Sequence, residues 1–343
     1  MPTKTEAEGR VFPVSNSAQS VHDVLVEYMK KGGVKILTGA TVAGFISEKI
    51  ITTDNKDSCK QVITIKLKNK IGGMSEIRAK KFILATGGTS RPETGSTGEG
   101  FGWLAELGHK VIAPDPALVP VEINKTKTPW LTKLQGVALK NIKLTTFQNN
   151  VKQESRKGKI LFTHFGVSGP TVLNMSKDIG ELVKYGDVIL SIDLLPALDH
   201  SMMNTKLQEL FRTEMPNKKI KNSLSKMIPS ALVSPVLQLS EINPDTANNS
   251  ITRAERIKLI AIIKNLTMHV TGLLGADKAV VSSGGVALTE VDFKNMQSRL
   301  VPNLHLVGDV LNIDRPSGGY SLQLCWTTGF VAGNAAGTTD AAS

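Results

Sequence analysis

Between residues 17 and 31 the apolar positions Val21, Val24, Leu25 and Tyr28 recur at helical spacing. Lys30-Lys31-Gly32-Gly33 closes that helix, with cations on its negative end and glycine after them. Residues 1–14 read as loop. Val34-Lys35-Ile36-Leu37 predicts a short strand, and the runs 44–52, 61–67 and 74–78 predict three more. Polar turns containing Asp54-Asn55 and Gly72-Gly73 separate these runs, the pattern of an antiparallel meander. Lys81-Phe82-Ile83-Leu84-Ala85-Thr86 then predicts a buried-type strand running straight into Gly87-Gly88. A helix, a parallel strand, a meander and a strand ending in glycine make an α/β arrangement with an antiparallel insertion.

The pattern changes at Pro114-Asp115-Pro116 and Pro120, a stiff stretch that marks a domain boundary. Short β segments follow at 137–144, 159–163 and 188–193, interrupted by one helix over 170–184. Helices dominate 197–270, over 200–214, 222–227 and 253–265, with Pro216, Pro229, Pro235 and Pro244 breaking them. From Val280 the glycine-rich α/β character returns. The chain therefore reads as one split domain, 1–118 and 275–343, enclosing a β-rich segment 119–195 and a helical segment 196–274.

Composition narrows the class. The chain has 343 residues, 41% of them hydrophobic and 21% charged, which is material for more than one globular core. No run approaches the roughly 18 apolar residues of a membrane span, and no basic-then-apolar signal segment opens the chain. Cys59 and Cys325 stand in dissimilar contexts, which argues against a disulfide framework and for a reducing, cytoplasmic setting. Six histidines show no metal-ligand spacing, so no metal site is expected. The net charge of +11 is uneven: residues 119–274 hold 21 Lys and Arg against 12 Asp and Glu, a net of +9. These lysines are scattered and no recognition motif accompanies them. They read first as a solvated face, with a nucleic-acid or anionic-partner surface as the alternative. An aromatic content of 5% speaks against single-stranded binding by base stacking.

Candidate chemistry concentrates in glycine-rich segments. Asn303-Leu304-His305-Leu306-Val307-Gly308-Asp309 is a short apolar strand ending in Gly-Asp, which puts a carboxylate at the carboxyl edge of a sheet. Such a carboxylate can accept hydrogen bonds from sugar-like hydroxyls. Gly318-Gly319-Tyr320 opens a helix running to about Gly337, whose first N–H groups and dipole suit an anion or an electron-rich ring edge. The plain alternative is a Gly-capped core helix beside a turn. Ala85-Thr86-Gly87-Gly88 lets backbone approach a ligand closely, although strand–Gly–Gly turns are common. His164 precedes a helix start at which Ser168 reads as N-cap and Pro170 as first-turn proline. Ser168 in Gly-Val-Ser-Gly does not fit a nucleophile elbow, so a hydrolase is not expected. Arg315 lies between the two glycine segments, facing either a ligand or solvent.

Taken in order, these blocks resemble a family of bacterial FAD-binding proteins, related to glutathione reductase, that includes aminoacetone oxidase and bile-acid dehydrogenating flavoproteins. The resemblance runs through Arg10-Val11-Phe12-Pro13-Val14-Ser15, Ala85-Thr86-Gly87-Gly88, Thr94-Gly95-Ser96-Thr97-Gly98, Gly108-His109 and Pro116-Ala117-Leu118-Val119-Pro120. It continues through Thr163-His164-Phe165-Gly166-Val167-Ser168-Gly169-Pro170, Val281-Ser282-Ser283-Gly284-Gly285-Val286 and the block 308–337. It implies an α/β fold in which an FAD-binding Rossmann-like domain is split by an inserted β-barrel plus helical domain. It also implies an FAD-dependent oxidoreductase transferring hydride to or from a small organic substrate, with NAD(P)H or oxygen as electron partner.

On this resemblance Val42 contacts the adenine through its backbone. Ala85, Thr86, Gly87 and Gly88 approach the cofactor, and Gly308 and Asp309 take the ribityl chain. Gly318, Gly319, Tyr320 and Ser321 face the ring, and His164 moves a proton. Ser321 stands where the family usually has Asn. No strand–Gly-x-Gly-x-x-Gly–helix unit is present: Gly100-Phe101-Gly102-Trp103-Leu104-Ala105 follows polar, glycine-rich residues instead of a buried strand. An N-terminally truncated family member is the expectation this raises, and such a chain is expected to hold FAD poorly. The rival reading is a non-catalytic binding module using the basic insertion to hold nucleic acid or an anionic partner.

Overall fold

Apolar runs become strands in this protein where a neighbouring strand accepts their backbone bonds, and stay irregular where none does. The computed structural model describes residues 1–6, 9–51, 58–69 and 73–338. The opening residues are not a loop: β1 (Thr3–Thr5) and β2 (Val11–Pro13) pair antiparallel. The predicted helix is α1 (Ala18–Lys31), ended at Gly32 and by Gly33 at φ +67°, a conformation that favours glycine. The strand expected at 34–37 is absent. These residues join no ladder, and Val34, Ile36 and Leu37 stay about half exposed.

The meander is present and longer than its apolar runs. β3 (Ala40–Ile51), β4 (Ser58–Asn69) and β5 (Met74–Arg78) pair antiparallel in that order, with irregularities at Val42/Gly44 and Ile46/Ser47. β4 is the middle strand and buries Val62, Thr64 and Leu67. The Asp54-Asn55 turn and Gly72 lie outside the described residues. The strand running into Gly87-Gly88 is β6 (Phe82–Leu84), followed by α2 (Glu99–Leu107) and β7 (Val111–Ala117). β6 buries Phe82 and Leu84 while Ile83 is exposed, so it is buried only on alternate residues.

The middle of the chain builds a closed antiparallel barrel and a layer of helices. Its elements are β8 (Val121–Ile123), β9 (Ala138–Gln148), β10 (Val151–Phe162), β11 (Gly166–Ser168), α3 (Pro170–Val183) and β12 (Val188–Asp193). Then come α4 (His200–Glu209), α5 (Ile220–Leu224), α6 (Ser230–Leu239), α7 (Arg253–Lys264) and β13 (Leu266–Leu273). The barrel closes in the order β10-β11-β8-β13-β12-β9. Closure removes free edges.

Two local features shape this region. Gly166 permits the tight β11–β8 approach, since a Cβ there would stand 2.3 Å from the Val121 carbonyl oxygen. α7 begins with a reciprocal cap: Thr252 Oγ1 accepts from the Glu255 N–H at 3.2 Å, and Glu255 Oε2 accepts from the Thr252 N–H at 2.8 Å. One prediction fails here, because Pro235 lies inside α6 and does not break it. Burial of Leu232, Val233, Val236 and Leu237 around it offsets the missing hydrogen bond.

The chain then returns to the first region with β14 (Val281–Val286), β15 (Val291–Asp292), β16 (Gln297–Ser298), β17 (Leu304–Leu306) and α8 (Tyr320–Gly337). β15-β16-β17-β6 form one sheet in which β17 and β6 run parallel, Leu306 beside Leu84. Two compact units result. The first comprises 1–88, 95–114 and 283–343, and the second 89–94 and 115–282. One apolar core runs from the barrel (Leu144, Phe162, Leu190) into the helices (Leu207, Leu232, Leu259). The line drawn at 195 therefore separates two parts of one unit. The first unit has its own core around Leu84, Leu104, Leu306 and Val310.

Candidate functional site

The site assembles where β6 and β17 end. Because the two strands are parallel neighbours in register, residues 85–88 and 307–309 leave the same carboxyl edge side by side. The Val307 N–H donates to the Leu84 carbonyl at 3.2 Å, extending the pairing to the last residue before the turn. Gly87 turns at φ +75°, and a Cβ there would meet Ser96 Oγ at 2.9 Å. Gly308 turns at φ +67°, and its Cβ would meet Cys325 Sγ at 3.1 Å. The Gly308 N–H donates to Thr328 Oγ1 at 3.0 Å, pinning the turn to α8.

α8 supplies the facing wall. Gly318 and Gly319, at φ +109° and +99°, bring the chain into the helix, and the N–H groups of its first turn have no partner inside it. Ser321, Cys325 and Thr328 follow at i, i+4 and i+7, so they share the helix face toward the Gly308 turn. Arg315 ties the parts together. Its Nε donates to Ser321 Oγ at 2.9 Å, its Nη1 donates to the Ile313 carbonyl at 2.5 Å, and its Nη2 pairs with Asp309 Oδ1. The side chains of Arg315 and Asp309 are 5% and 22% exposed, so the pair is largely withdrawn from water.

Burial pushes the Asp309 carboxyl above its ordinary pKa, against the opposing pulls of Arg315 and of the Cys325 thiol. Burial, together with the Asp309 charge, also raises the Cys325 thiol, which donates to Asp309 Oδ1 at 3.8 Å. Cys325 is thus a thiol neighbour and not a thiolate nucleophile. Arg315 and Cys325 both engage the same carboxylate oxygen, Asp309 Oδ1.

The structure brings Ala85, Thr86, Gly87, Gly88, Gly308 and Asp309 to one edge, and Gly318, Gly319, Tyr320 and Ser321 to the start of α8. Thr86 Oγ1 is buried with no hydrogen-bond partner among the described residues. Val42 lies apart from these, on β3 opposite Leu67 beside the irregularity at Gly44. His164 belongs to the second unit, exposed at the tip of the β10–β11 hairpin with its ring edge-on to Phe165 at 4.8 Å. Ser168 is the last residue of β11 and does not cap α3. Gly169 does, at φ +95°, where a Cβ would stand 3.0 Å from the backbone of Ile160. The sequence reading treats Cys325 only as one of two cysteines and does not single out Thr328, although their helical spacing from Ser321 is a usable signal.

A second histidine constellation proves structural. His109 Nδ1 bonds Glu290 Oε2 at 2.8 Å, and its Nε2 bonds Ser298 Oγ at 2.9 Å. That same Oγ accepts from the N–H groups of Leu300 and Val301, so the serine is a buried turn cap and not a nucleophile. Among the described residues no group of His, Cys, Asp or Glu is placed to hold a metal ion. No helix among them is long and apolar enough to cross a membrane.

These residues fit the ribityl and ring portions of FAD: a glycine cradle that side chains would fill, an unpartnered buried Thr86 hydroxyl, a carboxylate acceptor and the open start of a long helix. Gly100-Phe101-Gly102-Trp103-Leu104-Ala105 lies within α2 and not on a loop, so it is no phosphate cradle. Comparison with known proteins bears on the same region. The chain is 30% identical over 323 residues to a ribosomal RNA dihydrouridine synthase of Escherichia coli (strain K12), covering 93% of this chain and 72% of that protein. It is 28% identical to a 3-dehydro-bile acid delta(4,6)-reductase of Clostridium scindens, covering 96% of this chain and 75% of that protein. It is 27% identical to a ribosomal RNA dihydrouridine synthase of Haemophilus influenzae, covering 94% and 73%. The HI0933-like protein Rossmann domain matches residues 1–335. The chain therefore belongs to the HI0933-like Rossmann-domain family, an FAD-binding family of flavin oxidoreductases, in agreement with the resemblance carried by its glycine blocks.

Proposed function

We propose that this protein is an FAD-dependent reductase that adds hydride to a carbon–carbon double bond conjugated with a carbonyl group. The observation that carries this reading is the Asp309–Arg315–Ser321 tie at the open start of α8. The two activities named for its relatives support the choice of bond. Forming dihydrouridine saturates a ring double bond next to a carbonyl, and a delta(4,6)-reductase of a 3-dehydro steroid saturates bonds conjugated with the 3-oxo group.

When bound, FAD supplies the hydride transfer. The residues of this chain position and tune it. Asp309 would accept from a ribityl hydroxyl, while Arg315 opposes the burial that favours the protonated carboxyl. The positive end of α8 would favour negative charge on a bound ring edge. Ser321 Oγ, already accepting from Arg315, keeps its own proton to donate there. His164 is the proposed donor of the proton that completes the addition. NAD(P)H is the proposed electron source, with oxygen as a competing acceptor.

The test is spectroscopic. In the presence of excess FAD the protein is expected to show a bound-flavin spectrum that NADPH bleaches without oxygen and that a conjugated enone or uracil acceptor restores. Asp309→Ala is expected to weaken FAD binding about tenfold or more, the cost of one charge-assisted hydrogen bond in a buried site. Unchanged FAD retention in that variant would defeat the assignment. A second reading, a binding module without redox chemistry, draws on the charge of β9 and β10, and would show as a colourless protein that binds its partner.

A further inference from the structure

The second unit carries a cleft on the outer face of its barrel that none of the flavin chemistry uses. Its cavity is about 260 Å³, with Lys143, Thr145 and Phe147 of β9 along one side and Lys152 of β10 beside them. Ser191 and Asp193 of β12 form the other side, and Lys264 and Asn265 close the end. The strand register explains the grouping. Lys152 lies opposite Phe147, Ser155 and Ser191 flank Thr145, and Lys157 and Asp193 flank Lys143.

Charges in this face do not cancel. Residues 138–162 hold six Lys and Arg, namely Lys140, Lys143, Lys152, Arg156, Lys157 and Lys159, against the single Glu154. Glu154 pairs through Oε1 with Arg156 at 2.5 Å, and its Oε2 is buried with no hydrogen-bond partner among the described residues. Asp193, the carboxylate opposite Lys143, is taken by Lys264 at 2.6 Å, whose Nζ also donates to the carbonyls of Leu195 and Leu198. Lys143 and Lys157 stand directly opposite one another with no carboxylate between them, an arrangement that by itself destabilises a sheet. The floor is internally satisfied: Thr145 Oγ1 bonds Ser155 Oγ at 2.9 Å, and Ser191 Oγ donates to Asn265 Oδ1. Among the described residues no carboxylate pairs with Lys143, Lys152 or Lys157, which stand beside a half-buried Phe147 that is no part of the barrel core.

We propose that this cleft docks single-stranded RNA, with a base stacked on Phe147 and the flanking phosphates on Lys143 and Lys152. Free lysines around one accessible aromatic ring on a sheet face match the two requirements of single-strand binding, a cationic track and a stacking surface. An acidic polypeptide would satisfy the lysines and leave the ring without a role. The proposal deepens the proposed function by naming RNA-borne pyrimidine as the substrate class. It rests on that reading for the chemistry, though the binding can be measured without it.

The test is fluorescence anisotropy of the whole chain with a labelled, uridine-rich single-stranded oligoribonucleotide at several salt concentrations. Flavin content is measured on the same samples. Lys143→Glu with Lys152→Glu is expected to weaken binding at least about tenfold and to flatten the salt slope by about 1.4, the share of two phosphate contacts. Phe147→Leu, which keeps an apolar side chain, is expected to weaken binding about five- to tenfold at unchanged salt slope. Binding that is indifferent to both variants overturns the cleft, whatever the colour of the protein. Equal displacement of the RNA by polyglutamate, with Phe147→Leu silent, also overturns it in favour of an acidic polypeptide. A colourless protein whose RNA binding responds to the variants keeps the cleft and defeats the flavin reading alone.

Discussion

The two units hide their apolar side chains to very different degrees. In the second, a closed barrel and its helices share one core whose large members, among them Phe162, Leu190 and Phe211, are almost wholly out of water. In the first, β6 ends its sheet, α1 buries none of its residues, and α8 leaves Tyr320, Leu322, Trp326 and Phe330 exposed, the last at 74%. The unit with the sounder core is thus not the unit with the glycine cradle and the buried ion pair. Stability and cofactor chemistry are separated along this chain. Positive-φ glycines, a desolvated carboxylate and an open helix start are each costly in isolation. They are gathered in the unit that has less burial to offset them.

That contrast can be broken by comparable truncations. The largest effect is expected from Leu190→Ala in the barrel core, about 2–5 kcal/mol of unfolding free energy by urea titration. A loss under about 1 kcal/mol would mean that the barrel is not the rigid partner. An intermediate effect is expected at Asp309, and its signature is pH. Its carboxyl pKa is raised in the folded chain above the ordinary 3.8, so the folded state holds the proton more tightly than the unfolded state. Stability of the flavin-free chain should therefore fall as pH rises from about 4 through the raised value. Asp309→Asn should remove that slope, and a variant with the same pH profile as the parent would contradict the desolvated pair. The smallest effect is expected from Ile83→Ala on the exposed side of β6, within about 0.5 kcal/mol. A loss as large as that at Leu190 would show that this edge is covered in solution.

How much of this was legible depended on whether a feature is local. α1 announced itself through Val21, Val24, Leu25 and Tyr28 and through its Gly32-Gly33 end, all within one stretch. The meander was readable for the same reason, with turns between alternating runs. The glycine blocks were readable because the absence of side chains is itself the signal. The 34–37 strand was misread because an apolar run specifies a strand only when a neighbour accepts its backbone bonds. Which strands close the barrel was hidden. β8 and β11 are three residues each, too short to show a period, and β9 pairs with β12 across two intervening strands and a helix. The role of Arg315 was equally hidden, since a long side chain beside a proline reaches a carboxylate or water with equal ease. Only the geometry shows it bonded to both Asp309 and Ser321.

The pairing of β6 with β17 carries a kinetic consequence. Leu84 and Leu306 become neighbours only after the whole second unit has been made, so the cradle depends on one of the longest loop closures in the chain. An unstructured insertion of that size would tax the closure with its full chain entropy. A barrel that has already folded, with its entry strand β7 paired to its exit strand β14, shortens the effective loop to the segments 85–110 and 287–305. The natural order of events during synthesis is therefore barrel first and cradle last. Damage to the barrel core should then reach the flavin site by delaying its assembly, without touching any residue of it.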